Sequence, residues 1–276
     1  MNRIQAAFAR CKAERRPALV TYVMGGDPDL AGSKALALAC VDGGADLLEI
    51  GVPFSDPIAD GPTIQLAAER SLRHGTTPRD CLEVVRAVRA RSDVPVALMG
   101  YLNPLLAAGF AAFAGEAAAA GVDAFIIPDL LPEEAGELRQ LAARHGLALI
   151  FLLAPTSTPA RVEAAARAAQ GFLYFVSVTG VTGARAELPP DLTARVTAVR
   201  AASPVPVVIG FGVSSPEQAR ALGSLADGVV VGSAIVSRGA RPGSRSARAK
   251  RVKAFVASLA RALRREDRAA VPDRNP

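Results

Sequence analysis

Eight short apolar runs recur along this chain, and each is followed by a turn and a stretch with helical spacing. They are ALVTYV (18–23), DLLEIGV (46–52), VPVALMGY (94–101), DAFIIPD (123–129), LALIFLLAP (147–155), GFLYFVS (171–177), VPVVIGFG (205–212) and DGVVVGS (227–233). Such continuous hydrophobicity fits strands buried on both faces, as in a parallel sheet covered by helices. The intervening segments include ALALACVDGG, CLEVVRAVRARS, EEAGELRQLAARHG and RVEAAARAAQG. Stops such as His74-Gly75 and His145-Gly146 have the composition of helix C-termini. Eight strand–helix units without a linker predict one closed (β/α)8 barrel, a TIM barrel, over residues 1–265 rather than an open doubly wound sheet. Residues 2–14 are expected to form an extra N-terminal helix that plugs the barrel bottom. The stretch GARPGSRSAR (239–248) reads as a loop before a last helix near 249–265, and residues 266–276 read as a flexible C-terminal tail.

The chain is 50% hydrophobic, ample for a large core, yet no run reaches the ~18 apolar residues of a membrane span. The first residues, MNRIQAAFARCKAERR, lack a signal-peptide pattern, and Cys11, Cys40 and Cys81 are scattered without C-x-x-C spacing. A cytoplasmic protein with unpaired thiols is the expectation. The net charge of +6 hints at nucleic acid, but its distribution argues otherwise. Residues 238–276 carry 12 Lys/Arg against 3 Asp/Glu, so the preceding body is slightly acidic. That segment has almost no aromatic side chains to stack bases, so a solvated basic helix face is the better reading.

In a barrel of this kind the strand C-termini and the loops after them carry the site. Glu49 lies in the second run and alternates with Leu48 and Ile50, which puts it on one face with Leu47. If that face points inward, an acid sits in the barrel mouth. A buried ion pair is the competing role, but no cation lies nearby in sequence. Burial without a partner raises a carboxyl pKa, a useful state for a group that gives and takes a proton. Asp56 and Asp60 follow in the next loop, where a turn or helix N-cap role would suffice for either. Three late loops are glycine-rich: Gly180 to Gly183, Gly210 to Gly212, and Gly232-Ser233. Their backbone N–H groups and the start of a short helix at GSAIV predict a phosphate cradle.

What is absent also narrows the chemistry. Lys12, Lys34, Lys250 and Lys253 all lie outside the strands, which disfavours a Schiff-base aldolase. His74 and His145 are far apart in sequence, so no histidine metal cluster is visible, and no dinucleotide fingerprint is present.

The run LEIGVPFSDPIADGPTIQ (48–65) closely resembles the signature of the tryptophan synthase alpha subunit family. YVMGGDPD (22–29), LMGYLNP (98–104), YFVSVTGVTGAR (174–185), GFGVSSPEQ (210–218) and GSAIV (232–236) match in order and spacing, and the resemblance covers roughly residues 2–265. One departure is Gly100, where a larger residue is common, beside the expected indole pocket. The resemblance implies retro-aldol cleavage of indole-3-glycerol phosphate to indole and D-glyceraldehyde 3-phosphate, with no cofactor in this subunit. The substrate's own indole, protonated at C3, serves as the electron sink.

Carried over residue by residue, the resemblance makes Glu49 the general acid/base and Asp60 the anion beside the ring nitrogen. Tyr174 matches an active-site tyrosine, and Tyr22, Met99, Tyr101 and Phe211 match pocket wall. Thr182 matches a loop residue that contacts Asp60, while Gly183, Gly212, Gly232 and Ser233 match phosphate contacts. Pro53, Asp56 and Pro57 are expected to face a pyridoxal-phosphate beta subunit in a tetramer of two alpha and two beta chains, which receives the indole. The loop 179–188 is expected to act as a lid over substrate. The alternatives are a stand-alone lyase that releases free indole, and an inactive module that only activates a beta chain. The presence of both Glu49 and Asp60 argues against the module.

Overall fold

The computed structural model describes residues 2–176, 191–210 and 212–264. The expected lid and the tail after Arg264 therefore lie outside the described residues.

The strands are β1 (Ala18–Met24), β2 (Leu47–Gly51), β3 (Val96–Met99), β4 (Ala124–Ile126), β5 (Ala148–Ile150), β6 (Leu152–Leu153), β7 (Leu173–Val176), β8 (Val207–Gly210) and β9 (Gly228–Val231). All pairings are parallel, in the order β5-β4-β3-β2-β1-β9-β8-β7-β6. The two ends of that order are consecutive in the chain, split only by the buried Phe151. Ala148–Ile150 pairs with β4 on one side, and Leu152–Leu153 pairs with β7 on the other. The single fifth run read from sequence thus serves both neighbours and brings the sheet round into a barrel.

The hydrophobic residues divide as alternation demands. Leu47, Val20, Ala97, Ala124, Ile126, Ile150 and Val208 face inward, while Leu48, Ile50, Leu98, Phe125 and Ile209 join the larger shell beneath the helices. Helix α1 (Arg3–Ala13) inserts Ile4, Phe8 and Cys11 into the inner cluster, where Phe8 meets Phe172 at 5.8 Å. The expected bottom plug is present. Its start is fixed by a capping box between Asn2 and Gln5.

Sequence boundaries shift at two helices. The last one begins at Arg245 rather than near 249, because the Ser244 hydroxyl accepts the Ala247 N–H and caps its first turn. The helix expected from Glu133 begins only at Gly136. Cys11, Cys40 and Cys81 are buried free thiols. Among the described residues no helix is long and apolar enough to cross a membrane.

The N-terminal rim of the barrel repeats one device three times. Asp46, Asp123 and Asp227 each precede a strand. Each donates its N–H to the carbonyl of a neighbouring residue (Leu19, Val96 and Val207) and accepts that residue's N–H on its carboxylate, at 2.8–2.9 Å. An arginine closes each carboxylate: Arg16 at 2.5 and 2.8 Å on Asp46, Arg89 at 2.7 Å on Asp123, Arg200 at 2.8 Å on Asp227. These clamps pin strand register where a slip would turn every inward side chain outward.

Candidate active site

At the opposite rim, the strand C-termini surround a cleft of about 470 Å³ counted to its open mouth. Tyr22, Glu49, Asp60, Met99, Tyr174, Gly212, Gly232 and Ser233 line it, eight of the residues singled out from sequence. Gly61, Ile64 and Val230 complete the lining and were not foreseen. Two of them had a sequence signal. Val230 alternates with Gly232 along one strand face, and Ile64 shares helical spacing with the buried Ala67, Ala68 and Ser71. Thr182, Gly183 and Phe211 lie outside the described residues.

Glu49 stands next to Tyr22 in the register of β1 and β2, with its side chain inward as alternation requires. It is only 1% exposed, and its Oε1 has no hydrogen-bond partner. No Lys or Arg is in ion-pair range of it among the described residues, so the ion-pair role is excluded there. Burial alone pushes its carboxyl up to about 8, which leaves the acid protonated at neutral pH.

Asp60 closes the loop between β2 and α3 (Pro62–Arg73). It does not cap that helix, because Gly61 occupies the N-cap position. Burial raises its carboxyl to about 6, and a hydrogen bond from Tyr101 holds it from going higher. At neutral pH Asp60 is therefore mostly ionised while Glu49 is mostly protonated. One site holds a proton donor and an anion set apart by environment.

Tyr101, expected in the pocket wall, reaches the loop before α3, its hydroxyl accepting the Ala59 N–H at 2.9 Å and donating to Asp60. Its ring packs on Phe54 with centroids 5.4 Å apart.

Tyr22 and Tyr174 keep their rings across the barrel mouth because Gly51 and Gly210 lie beneath them. A methyl group on either glycine would overlap the tyrosine hydroxyl above it. Gly100 does not shape the pocket from within, since a Cβ there would meet Val52 at 3.0 Å. Gly232 is the N-cap of a helix over Ser233–Ala240, whose first N–H groups have no acceptor within the helix and face the cleft side of the barrel. Of the residues expected at a partner surface, Asp56 is exposed, Pro57 half-buried and Pro53 buried. Among the described residues no group of three His, Cys, Asp or Glu could hold a metal ion.

A protonated buried acid, an ionised neighbour, an aromatic-walled cleft and a helix N-terminus suit acid/base work on an aromatic phosphate ester. Comparison with known proteins points the same way. The family model described as tryptophan synthase alpha chain matches residues 8–264. The tryptophan synthase alpha chain of Geobacter sulfurreducens is 55% identical over 236 residues, spanning 86% of this chain and 89% of that one. The Pelobacter propionicus alpha chain is 47% identical over 263 residues, 95% of this chain and 98% of its own. Among solved structures, a chain of Mycobacterium tuberculosis tryptophan synthase superposes with a TM-score of 0.87 at 42% identity, covering 95% of this chain and 98% of that one. The Legionella pneumophila alpha chain gives 0.85 at 37% identity, covering 95% and 97%. This chain belongs to the tryptophan synthase alpha chain family.

Proposed function

We propose that this chain cleaves indole-3-glycerol phosphate with Glu49 as the acid and base, Asp60 as the stabilising anion, and the rim around Gly212, Gly232 and Ser233 as the phosphate cradle. Glu49, protonated at neutral pH, delivers its proton to C3 of the indole ring, and the ring becomes an electron-poor indolenine. The Glu49 carboxylate so formed takes the proton of the hydroxyl on the adjacent glycerol carbon. The bond between that carbon and C3 then breaks, its electron pair returns to the ring, and a C=O bond forms on the glyceraldehyde 3-phosphate. Protons balance on one residue, and no external sink is needed. Asp60 offsets the positive charge that grows on the ring nitrogen, and it does so best where water is excluded.

The observation that carries this reading is the unequal setting of two carboxyls lining one cleft: Glu49 is buried with no hydrogen-bond partner on Oε1, whereas Asp60 accepts a hydrogen bond from Tyr101, so burial keeps the first protonated and the second stays the stronger acid. A donor to carbon must hold a proton at pH 7, and an anion for an indolenine must not.

The indole then passes to a pyridoxal-phosphate beta subunit in an assembly of two alpha and two beta chains in the cytoplasm, with no cofactor held by the alpha chain. The exposed Asp56 and the 85% exposed Ile58 share one loop with Asp60, which supports a partner surface there. Released indole is apolar enough to cross membranes, so coupling the two sites conserves it.

Indole release should be measured for this chain alone and with a tryptophan synthase beta chain added. Weak release that rises on addition is the expected result. Strong release without stimulation would favour a stand-alone lyase, and none under either condition would leave only an activating module.

A further inference from the structure

The loop between β2 and α3 carries one cleft-lining acid at its inner end and exposed side chains along its outer edge. Its inner end is held by a side chain of another element. Tyr101, 4% exposed at the start of the helix Leu102–Ala107, touches the loop in three places. Its ring packs on Phe54, its hydroxyl accepts the Ala59 N–H at 2.9 Å, and the same hydroxyl donates to the Asp60 carboxylate. Among the described residues the other polar bonds from Ser55 to Asp60 run within the loop or to α3: the Ser55 hydroxyl to the Asp56 carboxylate, Ile58 N–H to the Asp56 carbonyl, Asp60 N–H to the Pro57 carbonyl, and Gln65 Nε2 to the Asp60 carbonyl. A loop closed mostly on itself can pivot. The Tyr101 hydroxyl ties adjacent residues, one by backbone and one by side chain, to the barrel wall.

We infer that Tyr101 is a positioning residue for the cleavage reaction: its hydroxyl latches Ala59 and Asp60 so that the Asp60 carboxylate is aimed at the substrate ring nitrogen. The inference rests on the role proposed above for Asp60. A hydroxyl that donates to a carboxylate favours its ionised form and fixes its direction, both of which an anion facing a developing positive charge requires. The titratable groups facing Asp60 are Tyr101 from the start of the helix Leu102–Ala107, Tyr22 from β1 and Tyr174 from β7, with Glu49 of β2 in the same cleft. Among the described residues none of these is a cation, so the Tyr101 hydrogen bond is the main influence favouring the Asp60 anion.

The test is Tyr101→Phe, which keeps the ring against Phe54 and removes only the hydroxyl. Expected are a kcat for indole release lower by roughly tenfold or more, a KM changed by less than about threefold, and an acid limb of the rate profile moved to higher pH. The limb moves up because the lost hydrogen bond was holding the Asp60 carboxyl down. A second readout needs no turnover. Carbon-13 NMR titration of the Asp60 carboxyl, assigned with Asp60→Asn, should place its midpoint higher in Tyr101→Phe than in the unsubstituted protein. Equal midpoints together with an unchanged kcat overturn the latch. If the unsubstituted chain cleaves nothing with or without a beta chain, the functional reading fails. The titration still decides whether Tyr101 holds Asp60.

Discussion

Asp46 and Glu49 lie three residues apart, one just before β2 at the N-terminal rim and the other within β2 facing the cleft, and both are almost fully buried, at 3% and 1% exposure. Their acidities nevertheless move in opposite directions. Burial alone would raise both. At Asp46 it is overcome by the Arg16 guanidinium, the Leu19 N–H and Arg10, and the carboxyl falls below its usual range. At Glu49 nothing opposes it, and the carboxyl rises to about 8. Partners rather than depth decide what a buried acid does. At the N-terminal rim an arginine closes each of the three carboxylates, whereas among the described residues the acid at the C-terminal rim has no counter-ion in range. This division is the one that barrel enzymes show between the end that stabilises and the end that reacts.

Isosteric substitutions at the two ends provide the most direct way to break the comparison. Glu49→Gln keeps the shape and removes the exchangeable proton. Indole release should fall by roughly 10²–10⁴-fold, while calorimetry with a non-cleavable analogue such as indolepropanol phosphate shows near-normal binding. A loss of less than about tenfold with binding retained would mean that Glu49 is not the central acid/base.

Asp46→Asn should do the reverse. It leaves the guanidinium of Arg16, 7% exposed, without its main counter-ion. Denaturant unfolding should report a loss of about 3–5 kcal/mol, with kcat unchanged in the folded protein. A fall in kcat without a fall in stability would break the division between the two rims.

The pH dependence sharpens it further. Glu49 keeps a proton in the folded state that it loses when unfolded, so it costs stability progressively as pH rises from about 4.5 to about 8. The Tm of Glu49→Gln should therefore exceed that of the unsubstituted protein at pH 8.5, and the two should converge near pH 5. Asp46 has the opposite sign. Its carboxyl is lowered on folding, so its contribution is present above the unfolded value and is lost as acid protonates the folded clamp. A Tm difference for Glu49→Gln that stayed flat between pH 5 and 8.5 would remove the evidence that burial holds Glu49 protonated. The rate itself should show the smallest effect, a bell with one limb near about 6 for Asp60 and the other near about 8 for Glu49.

Much of this was legible in the chain. Continuous apolar runs alternating with helical spacing specify eight buried parallel strands, because only a sheet covered on both faces uses such runs. Alternation along LLEIG placed Glu49 inward, and the loop positions of Gly232-Ser233 placed a helix start at the reactive rim. These are local properties, set by the period of a strand and the needs of a helix end.

Tertiary structure decided the rest. Phe151 interrupts the fifth run because that segment must pair with a different neighbour on each side, and no local pattern encodes pairing partners. Tyr101, two residues after the pocket-lining Met99, ties down the loop before α3 because its hydroxyl meets Ala59 and Asp60 there. Asp46, Asp123 and Asp227 are visible in sequence as the openings of three strands. The arginines that hold them lie 30, 34 and 27 residues away. Sequence sets which faces are buried, since burial follows a short period. Whether a buried charge is paired, and so whether it stabilises or reacts, depends on side chains that meet only when the barrel closes.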